Sequence, residues 1–201
     1  MARSKAFNEN EVLDKAVEVF WAKGYEATSM QDLVNAMGIQ RGSLYATFGS
    51  KQQLFLQALE RYGKVVVKQF LDILQSKPSG VESIELFFAQ LVEHLLTAGA
   101  LRSCLVTNSA IERGLRDEAT KQQVLYLLNA LDKGFYKALQ RANEKGELST
   151  ELNLKKVASF LTSNMQGLLV IGKVCSDRFV LEGINQVTLS IIKKIITRNS
   201  T

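Results

Sequence analysis

Between positions 40 and 51 the chain sets out Gln40, Arg41, Gly42, Ser43, Tyr45, Thr47 and Lys51. These groups recognise polar surfaces; they are not a set that makes or breaks bonds. A guanidinium can give two parallel hydrogen bonds to guanine, and a glutamine amide can exchange two with adenine. Hydroxyls, phenols and ammonium groups suit phosphate oxygens, which set affinity and register but carry no sequence information. Bond-making chemistry has little to work with elsewhere. His94 is the single histidine, which leaves little acid–base capacity near neutral pH. No nucleophile elbow, phosphate loop, dinucleotide fingerprint or metal-ligand cluster occurs. Cys104 and Cys175 are far apart and form no CxxC, so neither a metal site nor a disulfide framework is indicated. The expectation is a protein that is not an enzyme and needs no cofactor or metal.

The elements that must position those polar groups lie in Thr28–Lys51, TSMQDLVNAMGIQRGSLYATFGSK. Thr28 to Gln31 reads as a capping box, with a hydroxyl at the cap and an amide three residues on. Leu33, Val34 and Met37 give one apolar face at helical spacing. Gly38 falls where that helix must stop. Ile39 and Leu44 pack a second short helix on the first, with Phe48 as a further anchor. Gln40, Arg41, Gly42, Ser43, Tyr45 and Thr47 fill the positions between those anchors. A short helix with a polar outer face, held by a preceding helix, is the helix-turn-helix arrangement for the DNA major groove. The spacing therefore predicts a DNA-binding element.

The run Gly24–Lys51 also resembles the N-terminal domain of TetR-type (AcrR-like) bacterial transcriptional regulators. The resemblance rests on a G-[YF]-x-x-T-[ST] entry, an x-G-[IV]-x-[RK]-G-[ST]-[LF]-Y recognition helix and a closing F-x-S-K, with all spacings intact. Gln40 stands where the family commonly has Ser, Thr or Ala; it is a weaker N-cap that can read adenine, so it bears on which operator is read. The resemblance implies an all-α fold of about nine helices and a dimer on a palindromic double-stranded operator. It places Thr28 and Ser29, at a helix N-terminus, on phosphate, and Gln40, Arg41 and Ser43 on base edges or nearby phosphates. Gly42 would allow close approach, and Tyr45 and Lys51 would hold phosphates.

Composition adds limits. The chain has 201 residues, one proline and 46% hydrophobic residues, enough for one or two domains built from long helices. Its net charge of +5 is not concentrated where the motif lies. Residues 1–64 carry eight Lys/Arg and seven Asp/Glu, leaving seventeen and thirteen for the remainder. Overall charge is therefore no argument for DNA. Locally, Gly38–Lys64 holds four basic residues and one acid. The N-terminus lacks an apolar signal core, and the longest uncharged run, Val157–Gly172, is shorter than the ~20 apolar residues of a membrane span. A cytoplasmic protein without membrane contact is expected.

Along the chain, residues 2–7 read as an arm bearing Arg3 and Lys5, which can follow the minor groove or phosphates or simply be a loose terminus. A first helix runs from Asn8 to Gly24 with Leu13, Ala16, Val17, Phe20 and Trp21 inward. Ser50, with Gln53, caps a helix that continues to about Gln75, its inner face Leu54, Phe55, Ala58, Leu59 and Tyr62. Domains are thus expected at 1–50 for DNA binding, with 51–75 connecting, and at 76–201 for ligand sensing and dimerisation. The second domain reads as helices throughout: one capped by Ser79 and Glu82 and closed at Gly99, a short segment at 103–114, and one from Asp117 to about Glu144. After a loop at Asn143–Thr150, two more span about 154–175 and 179–197. On the last, Ile184, Val187, Ile191 and Ile195 form one apolar face, with Leu181, Thr188, Ile192 and Ile196 beside it. Stripes this wide exceed what one neighbour buries, so these helices are either a central core or a dimer interface. Two-fold symmetry favours a homodimer through about 154–197.

Ser103–Glu112, SCLVTNSAIE, resembles a G-C-L-x-x-N-[ST]-A-x-E signature in one branch of the TetR-type family, with Ser103 replacing the glycine. Some members of that branch respond to electrophiles, oxidants or metals through the cysteine. Cys104 is therefore either a sensing thiol, favoured by a helix N-terminus and by Arg102, or a buried small apolar residue. Asn108 either binds a ligand or makes a capping or core hydrogen bond, and Cys175 reads as inert. An apolar inducer would sit in a cavity lined by residues such as Phe88, Leu91, Leu128 and Phe135, although such stripes are equally core. The reading is a DNA-binding regulator, a homodimeric repressor released by a small-molecule or thiol-reactive inducer. The alternative is a helical interaction protein whose DNA motif is inactive.

Overall fold

A computed structural model describes residues 7–97, 104–148 and 152–197, with side chains as far as Ile192. Arg3, Lys5, Gly99, Arg102, Ser103 and the side chains of Ile195 and Ile196 lie outside the described residues. The described residues are helical, without strands: α1 (Glu9–Lys23), α2 (Met30–Met37), α3 (Arg41–Phe48), α4 (Lys51–Tyr62), a π-helical turn (Gly63–Val67), α5 (Lys68–Gln75), α6 (Gly80–Thr97), α7 (Leu105–Arg113), α8 (Glu118–Glu144), α9 (Leu154–Ile171) and α10 (Arg178–Thr197). With α4 and α5 counted as one helical run, this is the nine-helix, all-α fold that the sequence led us to expect. The chain forms two compact units, residues 1–65 with 104–125, and residues 66–103 with 126–201.

In the first unit local sequence decides where the short helices start and stop. Asn8 caps α1 by accepting the Asn10 amide at 3.0 Å, and its own amide donates to Glu11 at 3.1 Å. Gly24 ends the helix at φ +78°, a region that costs a side chain-bearing residue dearly. The capping box of α2 lies one residue later than expected, on Ser29 and Asp32 in place of Thr28 and Gln31. Both pairs have suitable residues; Asp32 prevails because a carboxylate at a helix N-terminus also meets the favourable end of the helix dipole. Gly38 closes α2 in the left-handed conformation at φ +68°. Ser50 and Gln53 form the expected capping box of α4.

Packing then joins these pieces. Phe20, Leu33, Leu44, Leu54, Phe55 and Leu59 are fully or almost fully buried, each contributing about 1.5–3 kcal/mol by removal from water. Phe20 and Phe55 meet edge to face at 5.0 Å, as do Trp21 and Tyr62 at 5.1 Å. Arg61 makes a two-pronged pair with Asp14, Nε donating at 2.7 Å and Nη2 at 2.9 Å, which ties α4 to α1. Residues 104–125, holding α7 and the first turns of α8, pack into this same unit. Nothing in their periodicity announced that placement.

The helical run from Lys51 to Gln75 contains one departure from expectation, the π turn at Gly63–Val67. Gly63 and the β-branched Val65, Val66 and Val67 are weak α-helix formers, and a π turn accommodates such a stretch by widening locally.

The second unit is built on an aromatic cluster. Phe87 packs edge to face on Phe70, Phe88 and Phe135 at 5.6, 5.4 and 5.0 Å. Phe88, Leu91 and Phe135, expected around a cavity, are fully buried members of this packing, whereas Leu128 is half-buried. Gly80 opens α6 where a Cβ would collide with the backbone of Ala138 and Ala142. Arg141 donates to the Leu74 carbonyl at 2.6 Å, satisfying the end of α5. Glu147 accepts the Ser79 hydroxyl at 2.8 Å, while Ser79 accepts the Glu82 amide at 3.1 Å. On α10, Leu181, Thr188 and Ile192 are buried, and the Thr188 hydroxyl donates to Asn164 of α9 at 3.3 Å.

Candidate nucleic-acid interface

The outward face of α3 is assembled by two inward residues. Leu44 and Phe48 are buried to 0% and 3% exposure, and their i, i+4 spacing leaves the other sides of this eight-residue helix to solvent. Gln40 sits at the N-cap with extended backbone and makes no side-chain capping bond, so its amide remains available for other partners. Arg41 and Gly42 are exposed, Tyr45 is 43% exposed, and Ser43 and Thr47 are half-buried. The Arg41 guanidinium lies 5.8 Å from the Tyr45 ring centroid one turn on, a contact that orients it along the helix face. A Cβ added at Gly42 would meet nothing within 4 Å. The fold therefore does not require glycine there, although glycine costs a helix interior about 1 kcal/mol relative to alanine.

Lys51, the first residue of α4, is half-buried, and its ammonium lies 4.3 Å from the centroid of the Tyr25 ring. Burial lowers its pKa, Arg113 adds to that, and Glu26 and Glu112 act in the opposite direction. The Tyr25 ring in turn packs edge to face on Phe55 at 4.9 Å.

The start of α2 differs from expectation. Thr28 is buried at 1% exposure and its hydroxyl donates to the Gly24 carbonyl at 2.5 Å. That hydroxyl closes the α1–α2 connection and does not face outward. Ser29 is exposed, but its hydroxyl accepts the Asp32 amide at 3.0 Å and donates to the Asp32 carboxylate at 2.7 Å. Lys23 donates to Asp32 at 2.6 Å. That bond, with those donated by the Ser29 hydroxyl and by the Ser29 backbone amide at 2.9 Å, holds the half-buried Asp32 carboxyl well below the usual carboxylate range.

Cys104 and Asn108 lie apart from this face. Cys104 is the N-cap residue of α7, buried at 4% exposure, and accepts the Tyr62 hydroxyl at 3.7 Å. Burial first, then Cys104, pushes the Tyr62 phenol well above its ordinary pKa. Asn108 is 7% exposed and its backbone amide donates to the Cys104 carbonyl. Cys175 is half-buried. Among the described residues no group of three His, Cys, Asp or Glu is placed to hold a metal, and no helix is long and apolar enough to cross a membrane.

Sequence reasoning missed a polar cluster around Tyr25. Glu112 accepts the Tyr25 amide at 2.8 Å, and Arg113 donates to Glu26 at 3.1 Å and to Gln52 at 3.0 Å. Gln52 also donates to Asp117 at 2.6 Å. One signal was visible: Glu112 is the closing residue of the Ser103–Glu112 signature.

Comparison with known proteins agrees with this geometry. The family described as bacterial regulatory proteins, tetR family, matches residues 12–58. The tetracyclin repressor-like C-terminal domain matches residues 80–186. The uncharacterized HTH-type transcriptional regulator YezE of Bacillus subtilis is 35% identical over 193 residues, covering 96% of this chain and all of that protein. The HTH-type transcriptional repressor ComR of Escherichia coli is 28% identical, covering 84% of this chain and 80% of its own. Among solved structures, a cysteine-substituted form of the TetR-family regulator CifR, complexed with 26-base-pair operator DNA, superposes with a TM-score of 0.84 at 29% identity, covering 94% of this chain and 98% of CifR. The chain belongs to the TetR family and is a DNA-binding transcriptional regulator.

Proposed function

We propose that the protein is a homodimeric repressor that grips a palindromic operator through α3 and releases it when an inducer binds or reacts. One observation carries the DNA half: the exposed face of α3 gathers Gln40, Arg41, Gly42 and Tyr45, none of them used by the fold. In this reading Arg41 and Gln40 read bases, Ser43 and Thr47 add polar contacts beside them, and Tyr45, Lys51 and Ser29 meet phosphates. Thr28 has no direct part, because its hydroxyl is turned inward; it shapes the connection that presents Ser29.

The homodimer is supported by α10. Val180, Ile184, Val187 and Ile191 recur at i, i+4, i+7 and i+11 on the face beside the buried Leu181, Thr188 and Ile192. Val180, Val187 and Ile191 are 39%, 61% and 38% exposed. An apolar row of this kind suits a second copy of the same helix across a two-fold axis. Sedimentation of the Val187→Asp variant checks this reading, which predicts monomers at concentrations where the parent is dimeric.

The inducer is either a small molecule or a thiol-reactive one. The thiol route, and with it membership of the cysteine-bearing branch, is supported by the contact of Cys104 with Tyr62, whose ring packs on Trp21 of α1. An adduct at Cys104 would have to displace that ring. A cytoplasmic location follows from the same function. The test is selection of bound fragments from sheared genomic DNA with the protein kept reduced. Enrichment of one palindrome with half-sites about one helical turn apart is expected, with loss of binding after mild oxidation that Cys104→Ser prevents if the thiol is the sensor. No enrichment above a Lys51→Ala control would leave the interaction-protein alternative in its place.

A further inference from the structure

We propose that Glu112 and Arg113, at the end of α7, are positioning residues of the DNA-reading surface: they fix the Tyr25 ring on which the Lys51 ammonium rests, and the backbone that leads into Ser29. The proposal rests on the DNA-contact reading of Lys51 and Ser29 given above.

Three observations converge. First, the Glu112 carboxylate occupies the space that a Cβ of residue 24 would take, and it accepts the Tyr25 amide at 2.8 Å. Gly24, at φ +78°, is thus needed twice, for its conformation and for the room it gives the carboxylate. Second, Arg113 lies with its guanidinium carbon 4.3 Å from the Tyr25 ring centroid, the same distance as the Lys51 ammonium. Two cations on one aromatic ring repel each other, so the arrangement persists only if something anchors one of them. Arg113 is anchored: it donates to Glu26 and Gln52, stands 3.9 Å from Asp117 and is only 16% exposed. Third, the ring is held edge-on to Phe55 at 4.9 Å. The fixed ring and fixed guanidinium define where the half-buried Lys51 ammonium can go.

The consequence concerns binding to DNA. A lysine confined beside a phosphate position loses less side-chain freedom on binding than a free one. Removing the anchor should therefore weaken the same phosphate contact that Lys51 makes. Glu112 acts one step earlier, by holding the chain between α1 and α2 so that Tyr25 and Ser29 keep their places.

The experiment uses the full chain and the operator duplex recovered by genomic selection. Affinity is measured across a salt series for the parent, Lys51→Ala, Arg113→Met and the double variant. Arg113→Met is expected to weaken binding on the order of tenfold and to lower the salt slope by about one phosphate contact, as Lys51→Ala does. In the Lys51→Ala background it should cost less than about twofold, because the contact it supports is already gone. Glu112→Ala should weaken binding similarly, and Glu112→Gln, which keeps an oxygen acceptor for the Tyr25 amide, should recover most of the loss. Should Arg113→Met fail to fold, Tyr25→Leu against Tyr25→Phe carries the same test: Phe keeps the ring and binds as the parent, Leu copies the Arg113 variant. Equal losses with and without Lys51, or a loss with an unchanged salt slope, would overturn the proposal while leaving the DNA reading intact. A parent protein that selects no operator would overturn both.

Discussion

Gly42→Ala should move stability and DNA affinity in opposite directions. Gly42 sits in the first turn of α3 in ordinary helical backbone, is exposed, and has open space where a Cβ would go. Alanine there adds no collision and removes the excess freedom of glycine in the unfolded chain, so folding should gain about 0.5–1 kcal/mol. For a chain of this length that corresponds to a rise of roughly 1–4 °C in Tm. The same methyl group points out from the face that carries Gln40, Arg41 and Tyr45. Pressed into a major groove, it holds the helix off the base edges and lengthens hydrogen bonds that operate over tenths of an ångström. Losing one good two-pronged base contact costs about 1–3 kcal/mol, so operator affinity should fall roughly five- to 150-fold. Thermal denaturation and fluorescence anisotropy on one preparation measure both effects. A stabilised variant that binds operator as the parent does would refute the claim that Gly42 is kept for close approach. A destabilised variant would refute the reading of open space at this position.

Other perturbations separate the remaining assignments. Arg41→Ala should relax preference at one base pair and leave binding to random DNA little changed, whereas Lys51→Ala should weaken all sequences alike and flatten the salt dependence; competition with single-site operator variants tells them apart. Gly80→Ala drives a methyl into the backbone of Ala138 and Ala142 and should cost about 2 kcal/mol, seen as a Tm lower by roughly 4–8 °C. Asp32 has a folded-state pKa depressed chiefly by Lys23, so its contribution is complete above the ordinary carboxylate value of about 4 and fades as pH falls below it. Asp32→Asn should therefore lose stability at neutral pH and show a shallower acid transition by circular dichroism. Equal acid sensitivity of parent and variant would show that the pair is idle.

The two halves of the chain were legible to different degrees for reasons that can be named. The starts and stops of α1, α2 and α4 are written locally, in Asn8, Gly24, Ser29, Gly38 and Ser50, so a reading confined to neighbours could find them. The one slip, Thr28 for Ser29, came from two adjacent hydroxyls that each have a polar residue three positions on. The Ser29 pair has the added advantage of a carboxylate at the helix N-terminus, and that carboxylate also bonds Lys23, nine residues away. The cluster around Tyr25 was out of reach because its partners, Glu112 and Arg113, are 87 residues distant from Tyr25 and Glu26. Only the fold brings them together.

The recognition helix shows the reverse case. Its N-cap makes no side-chain bond, its first turn contains a glycine, and its stability depends on Leu44 and Phe48 seated in a core that other helices build. A helix of eight residues so equipped would be marginal alone. Its remaining residues are released from folding duty, and natural selection for stability would not assemble Gln40, Arg41, Gly42 and Tyr45 on one face. That is why the site was easier to recognise as a pattern of chemical groups than as a structural element. Function is most legible here because the fold makes so few demands on the same positions.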